Sequence, residues 1–281
     1  MLKQRVITAL VLLLILLPAM FYSSPAPFCA IALVMIGASA WEWARLNRYG
    51  PAASLACGVA CVFACSAAWW LGLLDQSLPM LWIFAGAAWV LAGAWVLRSG
   101  VSVWSCHPRS VRLVSGLVAL LLAWLAVAQA RVIGINFLLS ILLLVWVADI
   151  FAYFSGRAFG GRFSRSKLAP SISPRKSWEG VWGGMAGVIA LALVWRWIDV
   201  TWGLTVPSFY THLGNKSIGL LLIGVVFMAV MSVVGDLFES LVKRSAGVKD
   251  SSGLLPGHGG VLDRVDALLP TLPLAMMLYS V

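Results

Sequence analysis

Nine apolar runs divide the sequence, at residues 6–22, 28–44, 52–74, 78–97, 113–129, 132–154, 181–198, 217–237 and 267–281. About 20 apolar residues let an α-helix cross the hydrocarbon layer of a bilayer. In that layer only helices and closed barrels satisfy their own backbone polar groups. Composition agrees, since 62% of the residues are hydrophobic and 11% are charged, against about 25% charged in a soluble domain. The sequence therefore predicts an all-α polytopic membrane protein with about nine transmembrane helices. It predicts a single integral membrane domain over 1–281, with N-terminal helices in 1–131 and a catalytic membrane region in 132–281. The basic residues before the first run imitate a secretory leader. Pro18 and the short polar stretch 23–27 lead straight into the second run, so a membrane hairpin is expected instead.

The charges that remain set the topology. Lys and Arg accumulate on the cytoplasmic side of membrane proteins. With the N-terminus in the cytoplasm and the C-terminus external, every Lys and Arg except Arg131, Arg196 and Lys216 falls on the cytoplasmic side. The net charge of +10 then reflects topology, with a further attraction for anionic headgroups and phosphates. Basic modules interleaved with aromatic residues are absent, so no nucleic-acid partner is expected. Five cysteines, mostly inside apolar runs, do not make a disulfide framework. Cys57, Cys61 and Cys65 share one helix face without polar support, which is small-residue packing rather than a metal site.

Residues 240–266 gather Lys243, Arg244, Lys249, Asp250, His258, Asp263, Arg264 and Asp266 around Gly253, Gly257, Gly259 and Gly260. A second polar stretch, 155–180, lies on the same expected face. Asp149 precedes one stretch and Asp236 the other, each inside an apolar run. Intramembrane carboxylates are costly unless paired, solvated or metal-bound, so a polar cavity open to the cytoplasm is expected. Asp236 with Glu239, and Asp263 with Asp266, stand three apart and share helix faces. Such oxygen donors suit Mg²⁺ together with substrate phosphates. Alternatively, Asp263 and Asp266 complement a helix N-terminus and pair with Arg264. Gly257-His258-Gly259-Gly260 can form a nest of backbone N–H groups for an anion, although a lone His is commonly structural. In 173–180, Arg175 and Lys176 are either phosphate ligands or topology determinants, while Ser177 and Glu179 are expected to cap the following helix. No Ser-His-Asp or Cys-His order suggests a covalent intermediate. The residues describe a membrane enzyme that handles phosphates at the cytoplasmic face, with a divalent metal.

The run Ser240-x-Val242-Lys243-Arg244, Lys249-Asp250, Pro256-x-His258-Gly259-Gly260, Asp263-Arg264-x-Asp266 resembles the signature of the phosphatidate cytidylyltransferase (CDP-diacylglycerol synthase) family. Ser173-Pro174-Arg175-Lys176-Ser177-Trp178-Glu179-Gly180 is similar to a second box of that family, with Arg175 and Ser177 as conservative departures. The resemblance extends over roughly 149–266 and is only one of hydropathy in the N-terminal half. It implies transfer of a cytidylyl group from CTP to phosphatidate, forming CDP-diacylglycerol and pyrophosphate for phospholipid synthesis at a bacterial inner membrane. It implies Asp236, Asp263, Lys249 and Asp250 as catalytic residues. It also implies Asp236, Asp263, Asp149 and Asp266 as ligands for Mg²⁺, with a second metal or a monovalent cation left open. Lys243, Arg244, Lys249 and Arg264 would bind triphosphate or lipid phosphate, beside His258, Gly259 and Gly260. Ser173, Arg175, Lys176 and Ser177 would close the site from the other loop. A homodimer with a membrane-embedded funnel is implied as well. A CDP-alcohol phosphotransferase would need an Asp-Gly-x-x-Ala-Arg motif that is missing here, and a transporter would show inverted repeats.

Overall fold

The computed structural model describes residues 2–164 and 166–280. The side chain of Lys3, together with Arg165 and Val281, lies outside the described residues; these carry two of the expected cytoplasmic charges and the end of the ninth run. Eleven helices follow one another: α1 (Leu2–Phe21), α2 (Ala26–Leu46), α3 (Pro51–Trp70), α4 (Pro79–Cys106), α5 (Arg109–Ile133), α6 (Ile135–Phe159), α7 (Trp178–Trp202), α8 (Phe209–Lys216), α9 (Ile218–Ala246), α10 (Leu262–Val265) and α11 (Leu268–Ser280). The all-helical expectation holds among the described residues, where isolated bridges at Ala169–Ser173 and Leu255–Gly259 pin the two polar loops.

Local chemistry sets the element ends. Ser177 and Ser217 cap α7 and α9 by accepting from the N–H of Gly180 and Leu220 at 3.2 and 3.0 Å. Capping of this kind satisfies donors that the first helical turn leaves free. At their other ends, α7 and α9 stop at Gly203 and Gly247, both left-handed. In α7, Gly180, Gly184 and Gly187 lie directly on Ala152, Ala148 and Phe151 of α6. Small residues let membrane helices approach closely, where packing rather than hydrophobicity drives association. At one end of the bundle, Trp43 of α2 stacks on Phe238 of α9 at 6.0 Å and meets Trp104 of α4 edge-on. Its indole N–H donates to the Arg112 carbonyl of α5 at 2.9 Å. Four helices are thereby fixed around one aromatic residue. At the other end, Asp199 accepts from Asn136, from the Ser208 N–H and from Thr211, which seats the short buried helix α8. That helix lies between the seventh and eighth apolar runs.

Among the described residues, eight of the nine expected spans correspond to helices long and apolar enough to cross a membrane, α1–α7 and α9. The ninth expected span is represented by α11, which has 13 residues and covers only about 20 Å at 1.5 Å per residue. The reason is the path taken before it. After α9 ends at Ala246, the chain turns back into the bundle, and the Asp266 carbonyl comes to rest against Gly235. A Cβ at position 235 would lie 2.5 Å from that oxygen. Gly235 is eleven residues before the end of α9, or about 16 Å along it. The re-entrant segment uses part of the depth and α11 the remainder, with Leu269–Met276 buried throughout.

Candidate active site

Three acids lie near one another beside this re-entrant path. Asp149 lies ten residues before the end of α6, and Asp236 ten before the end of α9. Asp266 follows α10. The three side chains are near enough to one another for their charges to interact. Asp149 is exposed, and Asp266 turns one oxygen to its neighbour's N–H, that of Ala267, at 2.7 Å. The close seating of α6 on α7, and of Asp266 on Gly235, brings these acids together from segments far apart in sequence.

The loop between α6 and α7 supplies the countercharge. Lys176 pairs with Asp236 Oδ2 at 2.6 Å, both side chains being partly accessible. The loop is held by Glu179, whose Oε1 accepts from the N–H groups of Gly161, Phe163 and Ser164 at 3.2, 3.1 and 2.8 Å. Of the two capping residues expected from sequence, Ser177 caps α7. Glu179 does not, because its carboxylate reaches back to the preceding turn. Lys167 donates to the Pro174 carbonyl at 2.8 Å, and Ser173 closes the turn through its N–H to Ala169 at 2.8 Å. Arg175 projects outward and is exposed.

The second loop is organised around two carboxylates. Asp263 Oδ1 receives Lys243 at 2.5 Å, while Oδ2 receives the N–H groups of Ser251 and Gly260 and the Ser251 hydroxyl at 2.9, 2.7 and 2.9 Å. Burial alone would raise the Asp263 pKa, but Lys243 and these N–H donors outweigh it and hold it at about 2. Lys243 also forms an ion pair with Glu239, so one nearly buried ammonium lies between two buried carboxylates. The second carboxylate is Glu42 of α2, fully buried, which accepts from Ser251, Ser252, Val261 and Leu262. Helix α1 leans on the same loop through Arg5 to the Gly257 carbonyl and Thr8 to the Pro256 carbonyl, each at 2.9 Å.

The expected residues thus separate into groups. Asp149, Asp236, Asp266 and Lys176 share the cleft. Asp263 of the second loop pairs with Lys243 in the last turn of α9. Arg244 spans both loops, donating to the Ile172 and Val248 carbonyls at 3.5 and 3.2 Å. Arg264 donates to the His258 carbonyl at 2.8 Å, and Lys249 and Asp250 are exposed at the rim. The row of N–H donors expected at 257–260 is largely spent within the turn: His258 donates to Leu255 and Gly260 to Asp263. Among the described residues, no three His, Cys, Asp or Glu side chains are already drawn together to hold an ion. Asp149, Asp236 and Asp266 nevertheless offer hard oxygen donors with Lys176 as the ammonium paired to them, a donor set that fits a divalent cation. Glu42 and Glu179 were not assigned these roles by sequence. A lone acid inside an apolar run, the criterion that singled out Asp149 and Asp236, would have found Glu42.

The profile described as the cytidylyltransferase family matches residues 3–281. A phosphatidate cytidylyltransferase of Pseudomonas aeruginosa is 41% identical over 283 residues, covering 100% of this chain and 98% of the relative. One of Haemophilus influenzae is 36% identical over 305 residues, covering 99% of each. One of Thermotoga maritima is 41% identical over 144 residues, covering 51% of this chain and 48% of the relative.

Proposed function

Since the chain belongs to the cytidylyltransferase family, we propose that it transfers the cytidylyl group of CTP to phosphatidate, giving CDP-diacylglycerol and pyrophosphate. The observation that carries this reading is the Lys176–Asp236 pair at 2.6 Å. It ties the α6–α7 loop to α9 beside Asp149 and Asp266, while Arg175, Arg244, Lys249 and Arg264 of the two loop regions stay exposed. A site of that charge pattern balances when phosphates and a divalent cation enter together.

In this reading, Arg175, Lys249, Arg244 and Arg264 hold the triphosphate and the lipid phosphate in line. Lys176 exchanges Asp236 for a substrate oxygen as the substrates enter. The phosphatidate oxygen is already anionic, so no strong base is required, and the difficulty lies in bringing two anions together. That oxygen forms a bond to the α-phosphorus of CTP. The bond from this phosphorus to the bridging β-oxygen breaks, and pyrophosphate leaves with the electron pair. Asp236, Asp149 and Asp266 would hold Mg²⁺, which supplies charge compensation on the α-phosphate and the leaving group. Asp263 and Lys243 keep the second loop in shape. The distribution of Lys and Arg supports a bacterial inner-membrane location with the cleft facing the cytoplasm.

The test uses purified protein in detergent with Mg²⁺, phosphatidate and CTP labelled at the α- or the γ-phosphorus. The α-label is expected in the lipid phase and the γ-label in pyrophosphate. Folded protein that yields neither overturns the proposal.

A further inference from the structure

Glu42 belongs to the N-terminal half, where the resemblance to the family carried no residues. Its side chain is wholly buried, and it forms no ion pair with Lys or Arg among the described residues. A carboxylate in that position is costly unless its acceptor sites are filled. Here all four are. Oε1 accepts from the Ser252 hydroxyl at 2.5 Å and the Val261 N–H at 2.9 Å, and Oε2 from the Ser251 hydroxyl at 3.1 Å and the Leu262 N–H at 2.7 Å. A carboxylate presents about four lone-pair positions, so no capacity is left for a metal or a substrate.

Every donor comes from one turn, 209–220 residues away in sequence. The turn closes on the carboxylate so tightly that a Cβ at Gly260 would sit 2.0 Å from Ser251 Oγ and 2.4 Å from Glu42 Oε1. The Ser251 hydroxyl lies between two carboxylates, with Asp263 Oδ2 at 2.9 Å on its other side. A hydroxyl has one hydrogen to give, so Glu42 and Asp263 share it in turn, while the Ser251 N–H stays on Asp263. The turn between Ser252 and Val261 carries His258, Gly259 and Gly260, and its far end leads into Asp263 and Asp266.

We propose that Glu42 is a positioning residue for the proposed transfer: it fixes both ends of the 251–262 turn, and with them Asp263 and the descent to Asp266. It touches no substrate and acts through the turn, and this assignment rests on the reaction proposed above. Displacements of about 1 Å at a reacting centre can cost about 100-fold in rate.

The test compares Glu42→Gln, Ser252→Ala and Gln129→Leu with the wild-type chain. Gln is isosteric but must present an amide to one backbone N–H. Gln129 lies at the opposite end of the bundle, donating to the Leu73 and Gln76 carbonyls at 2.7 and 2.9 Å, so Gln129→Leu controls for general destabilisation. In Glu42→Gln, amide exchange at Val261 and Leu262 is expected to quicken at least about 10-fold. Turnover per folded molecule is expected to fall about 100-fold, mainly in kcat. In Gln129→Leu, turnover per folded molecule should stay near wild type. Should Glu42→Gln not fold, Ser252→Ala removes one donor and is expected to cost about 5–10-fold in turnover. Unchanged exchange at Val261 and Leu262, or turnover per folded molecule no lower than in Gln129→Leu, overturns the proposal; so does a Ser252→Ala chain identical to wild type. A wild-type chain that moves no label into lipid overturns the reaction and the catalytic part of this proposal, while the exchange rates still report separately whether Glu42 holds the turn.

Discussion

Replacing Lys243 by Met tests how the second loop is held. The Lys243 side chain is 11% exposed and lies between Glu239 and Asp263, whose side chains are 1% and 5% exposed. Removing one partner of a buried ion pair costs about 3–5 kcal/mol, because an uncompensated charge stays behind. The two carboxylates do not share this loss equally. Asp263 keeps the donors of Ser251 and Gly260, whereas neither Glu239 oxygen has another hydrogen-bond partner. Most of the destabilisation should therefore come from Glu239. At about 2–4 °C per kcal/mol for a chain of roughly this size, the Lys243→Met variant should melt about 6–20 °C below wild type. Cys29, Cys61 and Cys65 are buried and free, so a thiol-reactive dye reports unfolding in detergent without an added probe. Adding Glu239→Gln to Lys243→Met should restore at least half of the loss, a coupling expected of groups in direct contact. A single variant melting within about 2 °C of wild type, or a double variant whose losses simply add, would refute the reasoning.

Lys176→Met should behave in the opposite way. The Lys176–Asp236 pair is partly exposed, so its loss should cost less than about 1 kcal/mol of stability, while label transfer falls at least about 100-fold; thermal melting and the transfer assay together check this. Cys106 is exposed and lies at the end of α4, the end of the bundle that carries the two loops. A membrane-impermeant maleimide should label it in inverted vesicles and leave it unlabelled in right-side-out ones, and the reverse pattern would put the cleft outside.

Much of the architecture was legible because apolar length maps directly onto helices that must satisfy their backbone in lipid. Asp149 and Asp236 stood out for the same reason, as carboxylates in runs that should not hold them. The ninth run yields a shorter helix than its apolar length suggests, because residues before Leu268 are spent on the re-entrant path. The Asp266 carbonyl reaches Gly235, a contact between two segments that hydropathy treats separately. Spacing did not announce the partners of Asp263, which is held by Lys243 and by N–H groups of the second loop. Glu179 looked like a cap from its place in the sequence, but the three N–H groups it accepts come from residues 15–18 positions earlier. Glu42 is the extreme case, since its partners lie more than 200 residues away and no local pattern encodes them.

The central claim is that both substrates meet in one cleft and react directly, with no residue of the chain carrying the cytidylyl group. The most direct measurement is the stereochemistry at phosphorus, using CTP with one non-bridging α-oxygen replaced by sulfur in a single configuration at the α-phosphorus, and analysing the liponucleotide product. One in-line displacement predicts inversion of configuration. Retention would mean two displacements through a covalent intermediate, and would contradict the account.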